Sequence, residues 1–122
     1  MGEIRTFRDL IAWQRAMTLV RNIYGWTRDM PVDERFGLTN QIRRAAVSIP
    51  SNIAEGYARG TTADYVRFLR IARGSLAEVC TQTDLIVEFN MLTPNEQLTM
   101  DPAECDRVLQ GLLRSLEQKL NS

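Results

Sequence analysis

Apolar residues recur every three or four positions through most of this chain, which is the spacing that places them on one face of an α-helix. Four segments carry such a stripe, and no strand-like alternation extends beyond a few positions. The pattern predicts an all-α protein. Four helices joined by short loops favour an antiparallel, up-down-up-down four-helix bundle. The length of 122 residues suits one domain that spans residues 1–122.

The stripes also predict where each helix begins, ends and faces the core. The helices are expected over residues 8–27, 32–56, 62–90 and 102–120, with a separate short helical turn at 93–96. The expected stripe of the first helix is Leu10, Trp13, Met17, Val20 and Tyr24, widened by Ala16 and Ile23. In the second it is Leu38, Ile42, Ala45, Ala46, Ile49 and Ile53. In the third and fourth they are Tyr65, Leu69, Ala72, Leu76, Val79, Thr83 and Ile86, then Cys105, Leu109, Leu112, Leu116 and Leu120.

Composition argues against most enzyme classes. The chain has no histidine, the commonest general base and metal ligand. No phosphate-binding loop, zinc motif or di-iron motif occurs, so we expect no catalytic residue, no cofactor, no metal and no small-molecule substrate. No apolar run is long enough to span a membrane and no signal peptide is evident, so a cytoplasmic location is expected. Both cysteines, Cys80 and Cys105, are expected to be buried, reduced thiols.

The stretch SIPSNIAEG, at 48–56, places polar residues within the second helix. Pro50 predicts a bend, and Gly56 is expected to end the helix. One polar strip runs beside the core stripe and comprises Gln41, Arg44, Ser48, Ser51, Asn52 and Glu55. It fits either a ligand or catalytic strip, with Glu55 as its acid or base, or a buried hydrogen-bond network that fixes helix register. The lack of any adjoining catalytic motif favours the network.

Two further apolar strips lie outside the core stripes and predict a face for self-association. One is Val47, Pro50 and Ala54 in the second helix, and the other is Ile71, Leu85 and Phe89 in the third. A helix facing only solvent would carry Lys, Glu or Gln there. The alternative is that they are single exposed apolar residues, which are normal on protein surfaces.

The charges are segregated along the chain. Residues 1–73 hold twelve basic and seven acidic residues, whereas residues 74–122 hold three basic and eight acidic ones. One explanation is a head-to-tail contact between basic and acidic ends of neighbouring subunits. The other is an anionic ligand such as RNA or DNA. The candidate contacts to nucleic acid or to a neighbouring subunit are Arg8, Arg15, Arg21, Arg28, Arg43, Arg44, Arg67, Arg70 and Arg73.

Several motifs resemble a known family. They are FRDLIAW at 7–13, LTNQIRRAA at 38–46, SIPSNIAEG at 48–56 and IARGSLAE at 71–78. They are similar to the four-helix-bundle proteins first met in intervening sequences of bacterial 23S rRNA genes. The resemblance implies a ring-shaped homopentamer with no enzyme activity.

A related branch of that family, the accessory proteins of diversity-generating retroelements, binds nucleic acid through a strongly basic surface. This chain departs from that branch, because its net charge is zero and its calculated pI is about 6.3. We therefore predict a non-enzymatic homo-oligomeric scaffold or interaction protein, with an RNA-binding accessory protein as the alternative.

Overall fold

The computed structural model describes residues 2–122, and four α-helices make up most of that range. They are α1 (Ile11–Trp26), α2 (Leu38–Ala58), α3 (Thr62–Glu88) and α4 (Gln97–Leu120). Short 3-10 turns at Phe7–Asp9, Thr27–Asp29 and Val32–Glu34 lie before and after α1. No strand occurs within residues 2–122. The prediction of an all-α protein with four helices is confirmed.

The four helices enclose one apolar core. α1 packs against α2 and α4, and α3 packs against the same two helices. Each fully buried aliphatic side chain in such a core contributes about 1.5–3 kcal/mol relative to exposure. The largest such side chains are Leu19, Ile23, Ile42, Ile49, Ile53, Leu69, Ile86 and Leu109. None of the helices described here is long and apolar enough to cross a lipid bilayer.

The predicted core face of α1 is confirmed at one edge and wrong at its centre, because Ala16 and Ile23 are buried while the five main residues of the stripe are not. The buried face consists of Ala12, Ala16, Leu19 and Ile23, whereas the main predicted residues are half-buried or, at Tyr24, exposed. Both sets satisfy helical spacing, because α1 is apolar over two adjacent faces. The small side chains of Ala12 and Ala16 let the helix approach its neighbours closely. The bulkier face is left at the edge of the core.

The expected start and end of α2 also need correction. Val32–Glu34 forms its own 3-10 turn, and Glu34 then accepts a hydrogen bond at Oε1 from the backbone N–H of Leu38, at 3.0 Å. Gly56 does not end the helix, which continues to Ala58. A Cβ at Gly56 would lie 2.7 Å from the Cβ of Phe68, so this glycine allows α2 and α3 to approach. The left-handed glycine between the helices is Gly60, with φ of 88°.

α3 matches its prediction closely. Thr61 accepts a hydrogen bond at Oγ1 from the N–H of Asp64, at 3.2 Å, so the expected cap is present. Asn90, just beyond the last helical residue, has φ of 57°. Asparagine tolerates this left-handed conformation at helix ends.

α4 is one continuous helix and not a short turn followed by a second helix. Pro102 lies six residues into α4 and is buried, as is Leu98 one turn earlier. Proline removes one backbone hydrogen bond there, while the burial of both side chains holds the first turn in place. The core face includes Leu113, and the predicted Leu112 is half-buried. Leu120 is 48% exposed.

Candidate subunit interface

A largely apolar groove lies on the outside of the bundle between α1 and α2. Its volume is about 330 Å³, and it is lined by Trp13, Met17, Val20, Val47, Pro50, Ser51 and Ala54. Val47 is 41% exposed, whereas Ala54 is half-buried and Pro50 is buried. The expectation that Pro50 lies on an open surface is therefore wrong. Its ring packs at the base of the groove, within a helix that continues past it.

The residues of the second predicted strip, on α3 and just after it, differ in exposure. Ile71 is 43% exposed and Phe89 is 58% exposed, while Leu85 is half-buried. Ile71 lies in a groove of about 550 Å³ that also includes Val66 and Leu120. Exposed apolar side chains therefore occur on α3 as well as on the α1–α2 side.

A further groove between α3 and α4 was not predicted. It has a volume of about 530 Å³ and is lined by Arg73, Leu76, Ala77, Cys80, Thr83, Asp84, Leu98, Thr99, Pro102, Ala103 and Asp106. The sequence interpretation missed it because it placed Cys80 in the core and separated Leu98 from the last helix. Leu98 and Pro102 are one helical turn apart and precede the stripe that begins at Cys105. This spacing is the signal that could have predicted the α4 side of the groove.

The two cysteines occupy different environments. Cys80 is exposed and Cys105 is buried, and both are free thiols. The expectation of two buried thiols is therefore wrong for Cys80. Burial, with smaller contributions from nearby acidic residues, raises the pKa of Cys80, and burial raises the pKa of Cys105 to about 12. Both thiols are protonated at neutral pH, which makes them weak nucleophiles.

The polar strip of α2 splits into a network and an exposed edge. The hydroxyls of Ser48 and Ser75 lie 2.8 Å apart. Asn52 Nδ2 donates to the carbonyl of Ser48 at 2.8 Å and to its hydroxyl at 2.9 Å. The network joins α2 to α3 at a half-buried position. The other members, Gln41, Arg44, Ser51 and Glu55, are exposed.

Nothing around Glu55 forms a catalytic arrangement within residues 2–122. Its carboxylate lies 4.0 Å from the guanidinium of Arg59, one turn later on the surface. Ser51 donates to the carbonyl of Val47, at 2.8 Å, so its hydroxyl supports its own helix. The part of the chain described also has no cluster of three metal-ligating side chains.

Four of the nine candidate arginines contact carboxylates within the chain. Arg70 contacts Glu117 at 2.9 Å, and Arg73 contacts Asp106 at 2.8 Å. The other contacts are Arg67 with Asp64 at 3.5 Å and Arg15 with Glu104 at 3.9 Å. Acidic residues of α4 therefore neutralise Arg70 and Arg73 in the basic half of α3. Spacing within α3 alone could not show this, because the partners are 33 and 47 residues away.

The other five candidate arginines make no carboxylate contact within residues 2–122. Arg8 lies over the ring of Phe7, at 4.5 Å. Arg43 stacks on Tyr24 at 4.5 Å and donates from Nε to the hydroxyl of Thr27 at 2.9 Å. The remaining three are exposed: Arg21 on α1, Arg28 on the turn after α1 and Arg44 on α2.

Comparisons with known proteins agree with this architecture. The family model described as 23S rRNA-intervening sequence protein matches residues 8–112. A crystal structure of a protein of unknown function, from the S23 ribosomal protein family of Bacteroides thetaiotaomicron, matches with a TM-score of 0.74 and 21% identity. That match covers 84% of this chain and 98% of the other. No curated protein matches the chain.

Proposed function

Because the chain belongs to the family of 23S rRNA-intervening sequence proteins, we propose that it is a non-enzymatic, homo-oligomeric four-helix-bundle scaffold. The observation that carries this proposal is the presence of apolar residues on the outside of the bundle in two different places. One is the α1–α2 groove beside Val47, and the other is α3 with its α4 neighbour, around Ile71. Surfaces of this kind mark protein contacts.

Contacts across the helices support an antiparallel, up-down-up-down arrangement. Going from Arg70 to Arg73 along α3, the α4 partner moves back from Glu117 to Asp106. Likewise Asn22 bonds to Asp101, whereas Trp26 donates from Nε1 to the carbonyl of Thr93, at 3.0 Å. In such a bundle the α1–α2 and α3–α4 faces point in opposite directions.

Two different faces on opposite sides favour a head-to-tail contact. An isologous dimer uses one patch twice, whereas a heterologous contact joins two patches and generates a ring when the rotation closes. We propose a closed ring, with the family resemblance favouring five copies.

The test is light scattering after size exclusion, with variants that place a carboxylate on the proposed face. We expect a mass near five times 14.0 kDa for the wild type. Val47→Asp should reduce the mass to that of a monomer. Val32→Asp is the matched control, because Val32 is 81% exposed on the 3-10 turn beyond α1. A wild type that is monomeric at micromolar concentration would overturn the proposal.

RNA binding is the second candidate, and the exposed arginines without carboxylate partners favour it. Arg21, Arg28 and Arg44 are free of carboxylate contacts within the described residues. Phosphate contacts by arginine give an affinity that falls steeply with salt. Replacing all three with Gln should abolish retention of a structured RNA at low salt. Retention unchanged by the triple variant, or absent in the wild type, would exclude this function.

A further inference from the structure

The groove between α3 and α4 lies at the same height of the bundle as the surface around Val47 and Tyr24 on the α1–α2 face. The hydroxyl contact of Ser48 with Ser75 fixes α2 against α3, and the bond from Arg43 to Thr27 fixes α1 against α2. If the helices are antiparallel, these contacts place residues 73–84 of α3 beside about residues 39–50 of α2. The same part of α2 lies beside the C-terminal half of α1. A neighbouring copy in the same orientation would thus bring this surface to the groove.

The two surfaces also match in apolar character. On the α1–α2 face, Val47 is 41% exposed and Tyr24 is 40% exposed. Leu76, Leu98 and Pro102 are buried and form the floor of the facing groove. At about 530 Å³ the groove has room for side chains of this size. Packing these side chains against the groove removes apolar surface of both from water.

Their charges are complementary as well. α1 and α2 together hold four arginines and one carboxylate, Glu55. Arg21 and Arg44 on these helices make no contact with a carboxylate within residues 2–122, and Asp84 on the groove rim makes none with a base. Asp106, the other carboxylate of the groove, is already held by Arg73. Asp84 is therefore the rim charge that a second copy can neutralise.

We propose that the α3–α4 groove receives the α1–α2 face of a second copy of this chain. Val47 and Tyr24 enter between Leu76 and Leu98, and Arg21 or Arg44 approaches Asp84. The contact is heterologous, so each copy offers its α3–α4 groove to one neighbour and its α1–α2 face to the other. This inference rests on the proposed self-association, and it specifies which surfaces meet.

Cys80 provides a direct reporter of the groove. Its thiol is exposed in the single chain, and the buried Cys105 serves as an internal reference. We expect alkylation of Cys80 by N-ethylmaleimide, followed by mass spectrometry, to be at least about tenfold slower in the wild-type assembly than in Val47→Asp, since only dissociated copies react. Equal rates, in a wild type that light scattering shows to be oligomeric, would overturn the inference and leave self-association intact.

Disulfide trapping tests which surface covers the groove. In Val47→Cys, mild oxidation should link the new thiol to Cys80 of a neighbour and produce a ladder of covalent multimers. Val47→Cys combined with Cys80→Ser should give no ladder, and Val32→Cys should give none with Cys80 intact. A covalent dimer of the wild type, or of the variant that lacks Cys80, would indicate an isologous contact and overturn the inference. A monomeric wild type would overturn both proposals.

Discussion

Gly56 offers the sharpest test of how α2 and α3 pack. It is buried inside α2, and an added Cβ would lie 2.7 Å from the Cβ of Phe68 and 3.3 Å from the carbonyl oxygen of Tyr65. Neither contact involves the far end of a flexible side chain. In Gly56→Ala the two helices would therefore have to move apart.

The magnitude follows from two opposing effects. Alanine in a helix interior is more favourable than glycine by about 1 kcal/mol. Forcing one methyl group into a packed interior costs about 1–3 kcal/mol. Because the closest contact here is between two Cβ atoms, we place the cost of Gly56→Ala near the upper end. The net loss in the free energy of unfolding should be about 1–2 kcal/mol.

Gly111→Ala is the matched control. Gly111 lies inside α4 with nothing within 4 Å of its added Cβ, so only the propensity gain applies and stability should rise by up to about 1 kcal/mol. Urea unfolding followed by circular dichroism, with both variants at one protein concentration, measures the difference. If Gly56→Ala stabilises the protein as much as Gly111→Ala does, the argument from close helix approach is wrong.

Three further changes test the polar contacts. Burial raises the pKa of Tyr65 to about 12, and its hydroxyl has no hydrogen-bond partner; Tyr65→Phe should thus leave stability at pH 7 unchanged or raise it by about 1 kcal/mol. The unfolded phenol ionises first, so wild-type stability should fall between pH 10 and 12, and this variant should lose less in urea titrations across that range. Ser75→Ala removes the partner of Ser48 and should cost about 1 kcal/mol, against less than about 0.5 kcal/mol for the exposed Ser51→Ala; equal costs would contradict the network. Arg73→Gln should cost no more than about 1 kcal/mol, and thermal melts in 1 M salt should reduce the difference; a salt-independent loss would contradict an ionic origin.

Helix number and much of the core follow from apolar spacing alone. The stripe of α3 could be predicted because its apolar residues occupy one face and its cap, Thr61, is a local signal. The centre of the α1 face could not, because Met17 and Val20 satisfy the same period as Ala12 and Leu19. Only the neighbouring helices decide which of two apolar faces turns inward.

Some residues of the candidate interface could also be predicted from apolar spacing. Val47 and Ile71 lie off the core stripes in the sequence and are exposed in the structure. The partner of Arg73 could not be predicted from the spacing within α3, because Asp106 is 33 residues away. Non-local ion pairs of this kind neutralise surface charges that composition alone would count as unpaired. The groove beside Cys80 depends on α4 being continuous through Pro102. The local sequence instead predicts a short turn at 93–96 and a new helix that begins at Pro102.

The tight connection between α2 and α3 bears on the order in which the chain folds. Only residues 59–61 separate these helices, so bringing them together closes a short loop at little entropic cost. By contrast, the bond between Asn22 and Asp101 joins residues 79 apart. We expect the α2–α3 hairpin to be largely formed in the folding transition state and the contact of α1 with α4 to form late. Changes at Ser75 should accordingly slow folding, whereas changes at Asn22 should mainly speed unfolding.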